Sequence, residues 1–214
     1  MAISYNTVIG EHQSETVIEK SKFICYIKGV TDEDDAKQFI LAVKKQNSLA
    51  NHNCYAYIAD DKGLCMKFSD DGEPQGTAGL PMLEVLKNKR LYKTVAVVTR
   101  YFGGIKLGTG GLTRAYGGAV SNCLNNAKVV TMQKGVSCVL TTDYENYSKV
   151  LKLLTTDYIS GLITDFGDKI TLNFSVKAEF LDGLKVSLSD LFRGKADFNT
   201  LQEDYFAFGE LCQK

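Results

Sequence analysis

The sequence predicts two α+β domains, and three observations carry that prediction. Residues 135–214 read strand, helix, strand, strand, helix, strand, the βαββαβ order of a ferredoxin-like domain. Residues 1–134 open with extended segments and continue through a helix, a hairpin and a glycine-rich strand–turn–helix. Charge divides at the same place. Residues 1–134 carry 17 Lys and Arg against 13 Asp and Glu, and residues 135–214 carry 8 against 12, within a chain of formal net charge zero. A length of 214 residues suits two domains, and 44% hydrophobic content is enough for each to have a core. A polyanionic partner is therefore expected to meet the first domain, 1–134, rather than the second, 135–214.

In the first domain, residues 3–9 and 15–30 are rich in Ile, Val, Phe and Tyr with partial alternation, which predicts strands. Thr31 is the expected cap of a helix whose first turn holds Asp32, Glu33 and Asp34; Ala36, Phe39, Ile40 and Val43 keep helical spacing. Asn53–Ala59 and Leu64–Phe68 form a hairpin turned at Asp60–Gly63. A short helix follows from Thr77 to Asn88, with Pro81 in or near its first turn. Thr94–Phe102 is a buried strand by its Val-Ala-Val-Val run, and a helix is expected from about Gly110 to Ala127. Gly117 and Gly118 inside it each cost about 1 kcal/mol relative to alanine, so they are expected to admit a closely packed backbone. In the second domain the predicted elements are Val136–Thr141, Tyr144–Thr155, Ile159–Phe166, Lys169–Ala178, Leu181–Phe192 and Phe198–Phe206, with the domain boundary near Gln133-Lys134-Gly135.

The strongest functional signal lies between Val85 and Thr142. This stretch has no acidic residue, where the chain's average would give about seven, and it has nine basic ones, including Lys87, Lys89, Arg90, Arg100, Lys106 and Arg114. Its centre, Arg100 to Gly118, reads as a strand, a glycine-rich turn and a helix start. Glycine-freed N–H groups, a helix N-terminus and nearby cations suit an anion such as phosphate. The candidate phosphate- or nucleic-acid-binding residues are Arg100, Gly103, Gly104, Lys106, Thr109, Gly110, Gly111, Thr113 and Arg114, together with His52. The alternative is that the glycines only allow a strand and a helix to pack. The turn is not a Walker loop, because Thr109-Gly110 replaces Lys-Ser/Thr, and it lacks the last small residue and the later acid of a dinucleotide fingerprint.

Four segments together resemble the YigZ/IMPACT family: Lys20-Ser21-Lys22-Phe23-Ile24, Ala50–Ala56, Ser69–Gly79 and Arg100–Gly118. The resemblance covers nearly the whole chain. It implies a first domain of the left-handed βαβ superfamily, similar to domain IV of elongation factor G and to a ribosomal small-subunit protein domain. It implies a second, ferredoxin-like domain similar to domain V of elongation factor G. It further implies a protein associated with RNA or translation; eukaryotic relatives regulate translation partly through a domain this chain lacks.

Other constellations carry competing chemistry. His52 and Cys54 offer a thiol and a base, but two residues apart on a strand they do not make the usual cross-fold pair. Tyr101, Phe102 and Tyr116 either stack on bases or belong to the core. Asp70, Asp71 and Glu73 either hold Mg²⁺ for a nucleotide substrate or cap the helix that follows. Two histidines and no paired cysteines leave no zinc motif, and no cofactor is expected. The leading expectation is an RNA- or ribosome-associated binding protein acting in translation. The alternatives are an enzyme for a phosphorylated small molecule or nucleotide and, third, a dipeptidase-type hydrolase. The six scattered cysteines, 25, 54, 65, 123, 138 and 212, and the lack of a signal-like or membrane-spanning segment lead to the expectation of a cytoplasmic protein with reduced thiols.

Overall fold

The computed structural model describes residues 4–209, which form two compact units. One comprises Tyr5–Val130. Its elements are β1 (Tyr5–Val8), β2 (Glu11–Ile18), β3 (Ser21–Gly29), α1 (Glu33–Gln46), β4 (His52–Ile58), β5 (Met66–Ser69), α2 (Gly79–Asn88), β6 (Thr94–Tyr101) and α3 (Gly108–Asn126). Five strands pair in the order β2-β3-β6-β4-β5, and every neighbouring pair is antiparallel. The central strand β6 is buried on both faces, which explains its unbroken apolar run. Residues of α1 such as Phe39 and Val43 pack on one face with Tyr26, Tyr57, Val95 and Val97. On the other face, residues of α2 and α3, among them Met82, Leu86, Tyr116 and Val120, pack on Phe23, Cys54, Ala96 and Val98. The β2–β3 hairpin turns at Glu19 and Lys20, both with positive φ (46° and 64°), the two-residue geometry that matches strand twist.

Several boundaries differ from the sequence expectation for identifiable reasons. The cap of α1 is Asp32 rather than Thr31: Asp32 is extended, and its Oδ1 accepts the N–H groups of Asp34 and Asp35, both at 2.9 Å. Helix α2 starts at Gly79 rather than Thr77, because the backbone of 76–79 first wraps around the Asp70 carboxylate. Helix α3 starts at Gly108, before Gly110. The expected close backbone packing at Gly117 and Gly118 is not found. A Cβ on Gly117 would meet Val85 and Pro81 only at 3.8–3.9 Å, and one on Gly118 would meet nothing within 4 Å. Within the Arg100–Gly118 run the position that collides with backbone is Gly103, where a Cβ would run into Lys20.

The other unit holds the chain from Thr131 on. Strand β7 (Val129–Thr142) begins before the expected Val136, so the boundary expected at Gln133–Gly135 lies within it. It is followed by α4 (Tyr144–Leu154), β8 (Ile159–Phe166), β9 (Ile170–Lys177), a 3₁₀ turn at Ala178–Phe180, α5 (Leu181–Leu191) and β10 (Asp197–Ala207). The order β10-β7-β9-β8, antiparallel throughout, is that of two interleaved β-α-β units. Val150 and Leu154 of α4 and Leu184 and Leu188 of α5 close over Val136, Leu140, Leu172 and Val176 of the sheet. Among the described residues no helix is long and apolar enough to cross a membrane.

Candidate functional site

The four motif segments meet around one buried carboxylate. Glu73 is 8% exposed, a placement that costs several kcal/mol unless its charge is paired and hydrogen-bonded. Arg100 Nη1 donates to Glu73 Oε1 at 2.7 Å, and the Tyr116 hydroxyl donates to the same oxygen at 2.7 Å. Arg100 Nη2 donates to Ser21 Oγ at 3.3 Å, and the Gly103 N–H donates to that oxygen at 3.1 Å. The guanidinium carbon lies over the rings of Phe23 and Phe102, 5.3 and 5.4 Å from their centroids. This corrects the place of Arg100. It is 5% exposed and neutralised by Glu73, so it is a buried link between β6, the 70–79 loop and the β2–β3 turn rather than an exposed cation. Tyr116 is fully buried, edge-on to Phe23 at 5.3 Å, and is core rather than a stacking platform; Phe102 is 46% exposed.

The acidic loop is occupied in the same way. Asp70 accepts the N–H groups of Gly76, Ala78 and Gly79 at 2.8–3.0 Å, satisfying the start of α2, whose own N-cap residue Ala78 has no side-chain acceptor. Asp71 accepts from Lys44 Nζ and from the Asn53 N–H, each at 2.7 Å. With Glu73 taken by Arg100 and Tyr116, these carboxylates brace the loop instead of converging on a shared centre, and no metal-binding cluster occurs among the described residues. His52 Nδ1 lies 2.9 Å from the Asp71 carbonyl oxygen and its Nε2 3.9 Å from Glu73 Oε1, so His52 belongs to this network. Cys54 is fully buried, and burial, with the nearby Glu73 charge acting in the same direction, pushes its thiol up to about 12 against a smaller opposing effect of Tyr116. A neutral, buried thiol is a poor nucleophile, which removes the footing of the His52–Cys54 pairing.

The remaining candidates form an exposed surface at the start of α3. Gly104, Lys106, Thr109, Gly110, Thr113 and Arg114 are exposed, and Gly111 is partly so. The residue before the helix, Leu107, makes no side-chain cap, and the first turn has no acid, so the leading N–H groups keep their partial positive charge. Gly104 and Gly108 adopt φ of +87° and +70°, and added Cβ atoms at Gly104, Gly108 and Gly110 would meet nothing within 4 Å. A cleft of about 470 Å³ lies alongside, lined by Ile105, Lys106, Gly111 and Arg114 on one side and by Ile18 and Glu19 on the other. The structure thus gathers Lys106, Gly111 and Arg114, and places neither Arg100 nor His52 in the cleft. Sequence reading missed Glu19, whose signal was the tight β2–β3 turn beside the quoted Lys20-Ser21 motif.

Comparisons with known proteins agree with this arrangement of motifs. The profile of the Impact N-terminal domain matches residues 19–124, a span that holds the buried network and the whole glycine-rich run. The chain is 42% identical over 197 residues to the IMPACT family member YvyE of Bacillus subtilis, covering 92% of this chain and 91% of that protein. It is 33% identical over 188 residues to the IMPACT family member YigZ of Escherichia coli, covering 87% and 92%. A crystal structure described as that of a hypothetical protein superposes with a TM-score of 0.60 at 30% identity, over 95% of this chain and 100% of the other. With a shared domain profile, identity along nearly the full length and the motif segments joined in one network, the chain belongs to the IMPACT family.

Proposed function

We propose that the protein is an RNA- or ribosome-associated binding protein acting in translation, and that it takes phosphate groups at the exposed start of α3. One observation carries this reading: an uncapped helix start with open glycine N–H groups stands between two exposed cations, Lys106 and Arg114. Backbone N–H groups and flexible cations suit phosphate without reading base identity. The resemblance to domains IV and V of elongation factor G supports a ribosomal or RNA setting for the two units. The reading as a metal-assisted phosphotransfer enzyme gains no support, because Asp70, Asp71 and Glu73 are engaged in holding the fold.

Fluorescence anisotropy with a labelled single-stranded RNA over a salt series tests the proposal. Affinity is expected to fall as salt rises, with a log–log slope of about −0.7 per phosphate contact. Lys106→Ala and Arg114→Ala are each expected to weaken binding and to flatten that slope by about 0.7. Absence of RNA binding by the unaltered protein at low salt overturns the reading.

A further inference from the structure

A second surface lies on the opposite face of the first unit's sheet, where α1 rather than α3 packs, so it is separate from the proposed phosphate site. There α1, β4 and β5 enclose a groove of about 320 Å³. Its floor is apolar, with Ile40, Leu41 and Tyr55; Leu41 is 66% exposed. Lys37, Lys44 and Lys67 rim it, and none of its lining residues is acidic. Lys44 Nζ lies 5.8 Å from the Tyr55 ring centroid. Lys37 pairs at the surface with Glu33 at 3.1 Å, a contact weak enough to be shared with a further carboxylate, and Lys44 is held by Asp71 at 2.7 Å.

The groove borders an open sheet edge. Among the described residues β5 has one strand neighbour, β4, and Met66, Lys67 and Phe68 are exposed. The register pairs Tyr57 with Lys67 and Tyr55 with Ser69, and the Ala59 N–H donates to the Cys65 carbonyl at 2.8 Å. Hydrogen-bonded pairs recur every second residue in an antiparallel ladder, so Cys65, Lys67 and Ser69 turn their backbone groups toward β4. Met66 and Phe68 therefore turn theirs outward. Side chains alternate in the other sense: Lys67 shares the α1 face with Tyr55 and Tyr57, and Met66 and Phe68 share the opposite face with Ala56 and Ile58.

We infer that β5 receives, as an added strand, an extended segment of a partner protein in which acidic and aliphatic residues alternate. Backbone pairing at Met66 and Phe68 places one incoming residue directly opposite Lys67 in a non-hydrogen-bonded position, where side chains approach most closely. Acidic residues there and two positions away lie over Lys67, Lys37 and Lys44, with their methylenes against Leu41 and Tyr55. The intervening residues fall on the other face, beside the half-exposed side chains of Met66 and Phe68, and these must be apolar. Charge decides between this occupant and a second copy of the chain. Antiparallel pairing of two β5 strands about Lys67 sets lysine against lysine, which repels a copy and admits an acidic strand.

The test uses the whole protein and a labelled peptide of repeating Glu-Val units. Controls are a peptide of the same composition with its glutamates in one block, a repeating peptide N-methylated on alternate amides, and labelled oligouridine. The repeating peptide is expected to bind saturably below about 1 mM. The block and methylated peptides are expected to bind at least about tenfold more weakly. Lys67→Glu is expected to weaken the repeating peptide about tenfold or more while circular dichroism and oligouridine binding stay unchanged. Three results overturn the proposal. They are no saturable binding of the repeating peptide, equal binding of the block or methylated peptide, and loss of oligouridine binding in Lys67→Glu, which would give the groove to nucleic acid.

Discussion

Glu73 illustrates how a single residue carries consequences across the first unit. Its carboxylate is buried and accepts from both Arg100 and Tyr116. Glu73→Gln removes the charge but leaves the Arg100 guanidinium buried, and is expected to lower unfolding free energy by about 3–5 kcal/mol in urea titrations. Tyr116→Phe removes one donor and keeps the ion pair, with an expected loss of about 1 kcal/mol. The glycines sort by what a methyl group would meet. Gly103→Ala drives a Cβ into the Lys20 backbone and is expected to unfold or strongly destabilise the protein. Gly117→Ala has room beside Val85 and Pro81 and replaces a poor helix former, so a gain of up to about 1 kcal/mol is expected. Gly110→Ala also has room, so stability is expected to hold while any loss of RNA affinity reports on the helix start directly. Equal destabilisation at positions 103, 110 and 117 would contradict this division.

Helix α3 joins both kinds of residue. Its inner face brings Tyr116 to the buried network, and its start is flanked by the exposed cations, Lys106 just before it and Arg114 in its second turn. Glu19 is the acid lining the cleft opposite Lys106 and Arg114. Glu19→Gln removes that local repulsion of phosphate and is expected to tighten RNA binding several-fold at low salt, the reverse of Lys106→Ala. The 70–79 loop is expected to respond to acid. Burial works to raise the Asp71 carboxyl, but the Lys44 ammonium and the Asn53 N–H outweigh it and hold its pKa below the ordinary carboxylate value. A depressed carboxylate contributes stability that is present above its unfolded value near 4 and lost as pH falls through its folded value. Asp71→Asn is therefore expected to lower stability at neutral pH and to flatten the decline as pH falls below the ordinary carboxylate value, as read from urea midpoints.

For the molecule as a whole, zero net charge conceals a basic first part and an acidic second part. The proposed binding to RNA would then rest on a local patch, whose contacts the salt slope would count. Two or three phosphates at α3 give a log–log slope of about −1.4 to −2.1. A much steeper slope in the unaltered protein would mean that cations beyond Lys106 and Arg114 also take part.

Local pattern was enough to read most of the elements. Val-Ala-Val-Val named the central strand, the spacing of Ala36, Phe39, Ile40 and Val43 named α1, and the alternation of 135–214 named the interleaved β-α-β order, because periodicity and turn chemistry are properties of neighbouring residues. The motif segments also identified the family directly. Which charges are free was not legible in the same way. Arg100, Lys106 and Arg114 look alike along the chain, and pairing with Glu73 across 27 residues buries one and leaves the others in solvent. The same holds for Gly103 and Gly110: one faces the backbone of a distant hairpin and the other faces open space. Such distinctions depend on long-range packing, which decides what surrounds a side chain, and only the folded arrangement separates a residue that holds the protein together from one that is available to a partner.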